Sequence, residues 1–297
     1  MTNLVIVMAG DNSLHERYAN DRDFELWVCY FGDDEGVAAR YEGGCDRFFR
    51  LKGQKWELVR EIGRMARQND LPSFASYGFV FLPDDDIEFP EGAAAISRAF
   101  VLANEIGADI FQPAIANEYY SWEATRRAEG AFCHATMTVE IMMPAYSGEI
   151  FERCVLPLLH TLVYIRAGWG IEPLIARLSE NTLDRPVRTF VLDDVPAIHT
   201  RPVGKGTAAY DLGKDEAYLN PLVPGLWMQE LAQFQSPREA ASYVFPASDE
   251  RISWRAVEKH LGRIKGARNL HEAARRKNVA GYLLSFLQKL SGNRPGD

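Results

Sequence analysis

The sequence predicts an α/β fold, a mostly parallel central sheet with helices on both faces, followed by a mainly helical C-terminal extension. Three observations predict it. Short β-branched or apolar runs alternate with segments whose apolar residues recur at helical spacing. The runs stop at turns rich in Gly, Asp and Asn. One of them, Tyr77-Gly78-Phe79-Val80-Phe81-Leu82-Pro83, ends abruptly in Asp84-Asp85-Asp86. In open sheets of this class ligands sit beyond the carboxyl ends of the strands, so the triplet marks the expected site.

The elements follow in order. Leu4 to Met8 is a β-branched run leading into the turn Ala9-Gly10-Asp11-Asn12-Ser13, a first strand. Phe24 to Phe31 is a second strand, stopping at Gly32-Asp33-Asp34, and Arg47 to Leu51 a third. After Lys52-Gly53-Gln54-Lys55, the residues Trp56, Val59, Ile62, Gly63 and Ala66 recur at helical spacing. The strand that ends in the triplet comes next. Gly92 to Ile106 is an Ala-rich helix with Gly107 as its C-terminal stop, and Asp109 to Pro113 is another strand. Asn117 to Thr138 is polar and aromatic and reads as a long loop over the site. Val139 to Met143 is an apolar stretch carrying one acid, Glu140. Ser147 caps a helix to about Thr161, which Pro157 should kink. Gly168-Trp169-Gly170-Ile171-Glu172 is a glycine-rich elbow opening a helix through Leu178, and Val187 to Leu192 is the last clear strand. The catalytic unit is expected over residues 1–206 and a mainly helical extension over 207–297, with helices at Trp254 to Ile264 and Ala274 to Leu290.

Composition narrows the class. A chain of 297 residues with 47% apolar content fills a substantial core. No apolar segment is long enough to span a bilayer, and Leu4 to Ala9 is too short and lacks the basic flank of a secretory signal, so a cytoplasmic protein is expected. Cys29, Cys45, Cys133 and Cys154 are widely spaced with no CxxC pair, and read as reduced thiols. The net charge of −8 conceals a basic tail: from Arg251 onward there are eleven Lys and Arg against three acids. An acidic body argues against nucleic acid as a partner. In the tail Tyr282, Leu283, Leu284, Phe286, Leu287 and Leu290 lie near Arg275, Arg276, Lys277 and Lys289, a combination that is either a solvated helical surface or a peripheral contact with an anionic membrane face.

Chemistry concentrates in four pieces: the Asp84 triplet, Glu140, the elbow ending in Glu172, and His199 with Arg201 and Lys205. Along an extended backbone Asp84 and Asp86 would share one face and Asp85 the other, so Asp85 is expected to matter least. Carboxylates of this kind are either hard oxygen ligands for Mg²⁺ or Mn²⁺ or simply a solvated acidic turn after a strand. By residue type alone His199 is either a ligand or a structural histidine, Glu172 either a base or a favourable charge at a helix amino end, and Trp169 either a sugar platform or core.

The order of these motifs resembles the glycosyltransferase A-type, a Rossmann-like fold. More narrowly it is similar to a family of bacterial and plant proteins grouped as domain of unknown function 707. The resemblance is carried by Phe81 to Asp86, Gln112-Pro113-Ala114, Val139 to Ser147, Gly168 to Glu172 and Asp193 to His199, and it covers roughly residues 3–204. Pro83 stands where that family usually has Trp, Glu172 where it more often has Asp, and the loop before Glu140 is shorter. The resemblance implies a nucleotide-sugar donor, a divalent metal (Mn²⁺ or Mg²⁺), and a glycan or lipid-linked acceptor in bacterial surface polysaccharide synthesis. It implies metal ligation by Asp86 and His199, with Asp84 on the metal, its water or the ribose. Donor contacts fall to Asp85, Lys52, Lys55, Arg201 and Lys205, acceptor contacts to Trp169 and Glu140, and the base to Glu172. Two rivals remain: an inactive glycosyltransferase-like binding protein, and a nucleotidyl or phosphoryl transferase. For the latter, Ala9-Gly10-Asp11-Asn12 offers no phosphate-loop spacing.

Overall fold

The computed structural model describes residues 1–68, 71–120, 123–136, 139–161, 166, 168, 171–201 and 243–246. The elements in chain order are β1 (Leu4–Ala9), β2 (Glu25–Tyr30), α1 (Glu35–Gly43), β3 (Arg47–Arg50), α2 (Lys55–Gln68), β4 (Phe79–Phe81), β5 (Ile87–Glu88), α3 (Ala93–Ile106), β6 (Ile110–Ile115), β7 (Ala131–Ala135), β8 (Ala145–Ser147), α4 (Gly148–Ile150), α5 (Leu156–Thr161), α6 (Glu172–Leu183), β9 (Thr189–His199) and β10 (Tyr243–Pro246). The expected helices of the C-terminal extension lie outside the described residues.

The strands lie in the order β10-β7-β9-β6-β8-β4-β1-β2-β3. The run β3-β2-β1-β4 is parallel throughout, as is β6 with β9, while β8 and β7 run antiparallel to their neighbours. The sheet is therefore mixed, with its parallel half at the amino-terminal end. Because β8 is antiparallel to both β4 and β6, those two point the same way. The carboxyl ends of β1, β2, β4, β6 and β9 thus share one edge. Strand order reverses between β1 and β4, the place where a ligand crevice opens in doubly wound sheets.

Both sheet faces are covered, and β1 shows how. Val5, Val7 and Ala9 pack into one apolar layer with Ala38 and Tyr41 of α1 and with the Ala95, Ala99 and Phe100 stripe of α3. Leu4, Ile6 and Met8 pack into the other, with Trp56, Val59 and Ile62 of α2 and Ile175 of α6. Period two along the strand divides one run between two cores, so all six residues are buried.

Several expectations change in detail. Helix α1 was not expected: only Ala38 and Tyr41 of it are buried, so its apolar stripe is thin, and Asp34 starts it by accepting from the N–H groups of Gly36 and Val37. The 117–138 stretch is not all loop, since β7 forms within it and pairs with β9. The helix expected from Ser147 to about Thr161 is interrupted by a π turn over Phe151–Val155, just ahead of Pro157. Gly107 ends α3 in the left-handed region at φ 66 as expected. The last strand runs well past Leu192, to His199, where it pairs with β5. The four cysteines are free, and Cys29, Cys133 and Cys154 are buried.

Candidate functional site

Beyond β4 the chain does not stay extended. The Ile87 N–H donates to the Asp84 carbonyl at 3.3 Å, closing a turn over residues 84–87. The strict alternation expected of the triplet gives way, and its three carboxylates go to three partners. Asp84 Oδ1 accepts from Lys55 Nζ at 2.6 Å. Asp85 Oδ2 accepts from the Gly10 N–H at 2.8 Å. Asp86 Oδ2 lies 3.5 Å from His199 Nε2. Asp85 is thus no idle spacer. Its carbonyl also accepts from the Leu14 N–H at 2.7 Å, so it ties the loop after β1 to the triplet. Burial pushes its carboxyl up to about 6, against the lowering effect of the Gly10 N–H, and Arg201 is among the charges acting on it.

His199 is brought to Asp86 by the backbone. Ile87 pairs with His199 across β5 and β9, and Thr200 donates to the Asp86 carbonyl through both its N–H and its hydroxyl, at 3.0 and 2.8 Å. The ring is held from its other side. Nδ1 lies 2.9 Å from the Tyr119 carbonyl, which can only accept, so Nδ1 carries a proton. In the neutral ring Nε2 is then a lone pair, and it faces the Asp86 carboxylate. Burial alone would lower the basicity of this imidazole, but Asp86 outweighs it and raises the ring above its usual value. Either a proton on Nε2 or a metal cation can answer the negative charge of Asp86 at this place.

Among the described residues, no three His, Cys, Asp or Glu side chains converge to form a complete metal cage. The Asp86 and His199 pair still fits a divalent metal that completes its shell with water and phosphate oxygens, the habit of Mg²⁺ and Mn²⁺. The carbonyl on Nδ1 is the outer contact that commonly fixes the tautomer of a ligating histidine.

The remaining expected residues are placed as follows. Lys55, at the start of α2, has its ammonium ringed by Asp84 and the carbonyls of Leu82, Ile141 and Met142. Lys52 directs its ammonium to the carbonyls of Phe31 and Gly32 and to Asp33, closing the loop after β2. Glu140 is 1% exposed; its carboxylate accepts from the Thr125 hydroxyl and its N–H donates to Gln112 Oε1 at 2.6 Å. Glu172 is buried at the amino end of α6, where its charge helps to push the Tyr146 phenol up, burial being the larger cause. The elbow lies against the start of α2: the Trp56 N–H donates to the Arg166 carbonyl, and a Cβ at Gly168, whose φ is 93, would stand 2.1 Å from the Trp56 indole. Trp169 and Lys205 lie outside the described residues.

Sequence reading missed the residues that position His199. Asn117 Nδ2 donates to the His199 carbonyl at 2.8 Å and Asn117 Oδ1 accepts from its N–H at 3.3 Å, copying a strand partner with a side chain. Nothing in the 117–138 composition singles out Asn117. Thr200 is adjacent to His199 in the chain, and that adjacency is the one signal that could have found it.

No family model and no curated protein sequence matches the chain. Solved structures do. GalNAc-T7, solved with UDP, GalNAc and Mn²⁺, is similar at 10% identity over 80% of this chain and 51% of that one, with a TM-score of 0.51. The chain thus spans about half the length of that structure. S. aureus TarS 1-349 in complex with UDP matches at 13% identity over 100% of this chain and 93% of that one, with a TM-score of 0.43. At such identities the likeness is one of fold, and the fold is the glycosyltransferase A-type. The narrower resemblance to domain of unknown function 707 rests on the motifs alone.

Proposed function

We propose that the protein is a divalent-metal-dependent glycosyltransferase that moves a sugar from a nucleoside-diphosphate sugar to a glycan or lipid-linked acceptor. The observation that carries this reading is the Asp86 and His199 pair, placed on the carboxyl edge of the sheet beside the switch point between β1 and β4. That GalNAc-T7 was solved with UDP and Mn²⁺ supports the choice of ligands.

Bound there, Mg²⁺ or Mn²⁺ would neutralise the diphosphate leaving group as the glycosidic bond breaks. The chain's own groups do the rest. Asp86 and His199 would hold the cation. Arg201, two residues beyond His199 and among the charges acting on Asp85, and Lys205 are assigned to the diphosphate. Asp85 fixes the loop after β1 against the triplet. The acceptor hydroxyl needs a base, and Glu172 is the candidate, with Trp169 and Glu140 toward the acceptor. The catalytic unit is assigned to residues 1–206, with the basic extension as a peripheral membrane contact suited to a lipid-linked acceptor. Among the described residues no helix is long and apolar enough to cross a membrane.

The test is a panel of nucleotide sugars with Mn²⁺, reading heat stabilisation and nucleotide release. Asp86→Ala and His199→Ala should each lose metal-dependent donor binding, whereas Glu172→Gln keeps binding and loses transfer. Absence of both stabilisation and turnover across the panel would leave the inactive binding protein as the better reading.

A further inference from the structure

We propose that Lys55 is a built-in cation that holds Asp84 away from the metal, so that a divalent ion is retained only together with a diphosphate. This rests on the metal-dependent reading above and goes beyond it, because it assigns an order of dependence between metal and donor.

The first support is how completely Lys55 is committed. Its ammonium has three N–H groups, and it meets Asp84 Oδ1 at 2.6 Å, Leu82 O at 2.7 Å, Ile141 O at 2.6 Å and Met142 O at 3.1 Å. These acceptors come from two separate segments, the continuation of β4 and the 141–142 turn. An ammonium that left to meet a phosphate would abandon three carbonyls at once. Its side chain is only 12% exposed, so water would not readily replace it. The second support is the base of the side chain. Lys55 opens α2, and the next residue, Trp56, is fully buried and donates its N–H to Arg166 O at 3.0 Å, so the stem of Lys55 starts from a fixed point. The third is the geometry of Asp84. Its N–H donates to Met142 O at 2.7 Å, so its backbone is held by the same turn whose carbonyls hold Lys55.

The chemical consequence is a pre-neutralised carboxylate. With Asp84 paired to Lys55, the metal is offered one carboxylate, Asp86, and one imidazole, His199, and it meets an ammonium nearby. Two protein ligands and a like charge make a poor site for a bare divalent ion. A diphosphate changes both terms, since it brings oxygen ligands and negative charge. Metal and nucleotide should therefore bind with positive coupling, and Lys55 should set its size.

The experiment measures Mn²⁺ affinity of the full chain by electron paramagnetic resonance of the free ion, with UDP as the probe and without it. In the wild-type chain UDP should tighten Mn²⁺ by about tenfold or more. Lys55→Met should tighten Mn²⁺ in the absence of UDP by about tenfold and shrink the UDP effect. Asp84→Asn leaves the Lys55 ammonium unneutralised, so it should weaken Mn²⁺ without UDP by about tenfold yet keep it within about twofold with UDP, whose charge answers the ammonium. Should Lys55→Met fail to fold for want of a partner to the three carbonyls, Asp84→Asn decides alone. A tenfold loss of Mn²⁺ binding in Asp84→Asn with UDP present overturns the inference, as does a wild-type chain that binds Mn²⁺ equally well without UDP; either outcome leaves the proposed function standing. A wild-type chain that binds no Mn²⁺ even with UDP overturns the metal-dependent function itself, and the inference with it.

Discussion

Asn117 grips the backbone of His199 at both its N–H and its carbonyl, and Tyr119 takes the Nδ1 proton, so the aim of Nε2 at Asp86 is set by residues some eighty positions away in the chain. Asn117→Ala should weaken Mn²⁺ binding in the presence of UDP by about tenfold, the usual cost of losing an outer contact to a metal ligand. Asn117→Asp, which keeps the acceptor and loses the donor, should fall between. Mn²⁺ titration of the two variants checks this, and equal affinities in all three chains would refute it. His15 offers a pH test. It is buried with Nδ1 2.7 Å from Ser13 Oγ, and burial lowers its pKa to about 4. Below pH 6.5 the unfolded chain takes up a proton that the folded chain refuses, so this site contributes stability that is lost as pH falls from 6.5 toward 4. At its steepest the loss is about 1.4 kcal/mol per pH unit, and the difference in urea stability between wild type and His15→Gln should shrink accordingly between pH 7 and pH 5. At this scale the sequence was only half readable. Residue types alone left Asp86 and His199 open, and it was the resemblance to a family pattern that paired them. Directions were not readable, because a turn closed by a backbone bond between residues 84 and 87 replaced the alternation that an extended chain would impose.

Asp109 shows what holds elements in place away from the site. Just ahead of β6, its carboxylate accepts from both terminal nitrogens of Arg185 at 2.8 Å and from the Arg188 N–H at 2.9 Å, joining the amino ends of β6 and β9. Burial opposes its ionisation, but Arg185 and Arg188 hold the carboxyl below its ordinary value. The contribution is therefore present above pH 3.8 and is lost as pH falls through the lower folded value. Asp109→Asn should cost about 2–3 kcal/mol at pH 7, read from urea unfolding, with the difference vanishing toward strongly acid pH. Elements with a full apolar stripe, such as α2 and α3, were legible from residue spacing alone. Helix α1 was not, since its start is set by the Asp34 cap and it buries only two side chains. Strand β7 was hidden because the pairing that makes it a strand is with β9, more than fifty residues later in the chain.

The described residues form a sheet with two apolar layers, and the proposed site lies along one of its edges. A ligand bound at that edge would touch the continuations of several strands, so donor and metal should stabilise the entire core. At a hundred times its dissociation constant, UDP with Mn²⁺ should add about 2.7 kcal/mol, which for a body of this size raises the melting temperature by roughly 5–10 °C. Differential scanning fluorimetry reads this directly, and Asp86→Ala should abolish the shift. The α/β class and the choice of the carboxyl edge came from patterns that repeat along the chain. The antiparallel insertion of β8 did not, because three residues carry too little pattern to reveal a direction. The strand that joins core to site has a further consequence. Opposite β6, the register of β9 jumps between Leu192 and Pro196, so Asp193, Asp194 and Val195 are let out as slack, and Asp193 secures that slack by binding His134. Strand β9 is in effect a ruler anchored in the core, with His199 as its end mark. Each residue added to or removed from the paired stretch between that slack and His199 would move the mark by about 3.3 Å and turn the imidazole to the opposite face, so the length of that stretch sets the gap between Asp86 and His199.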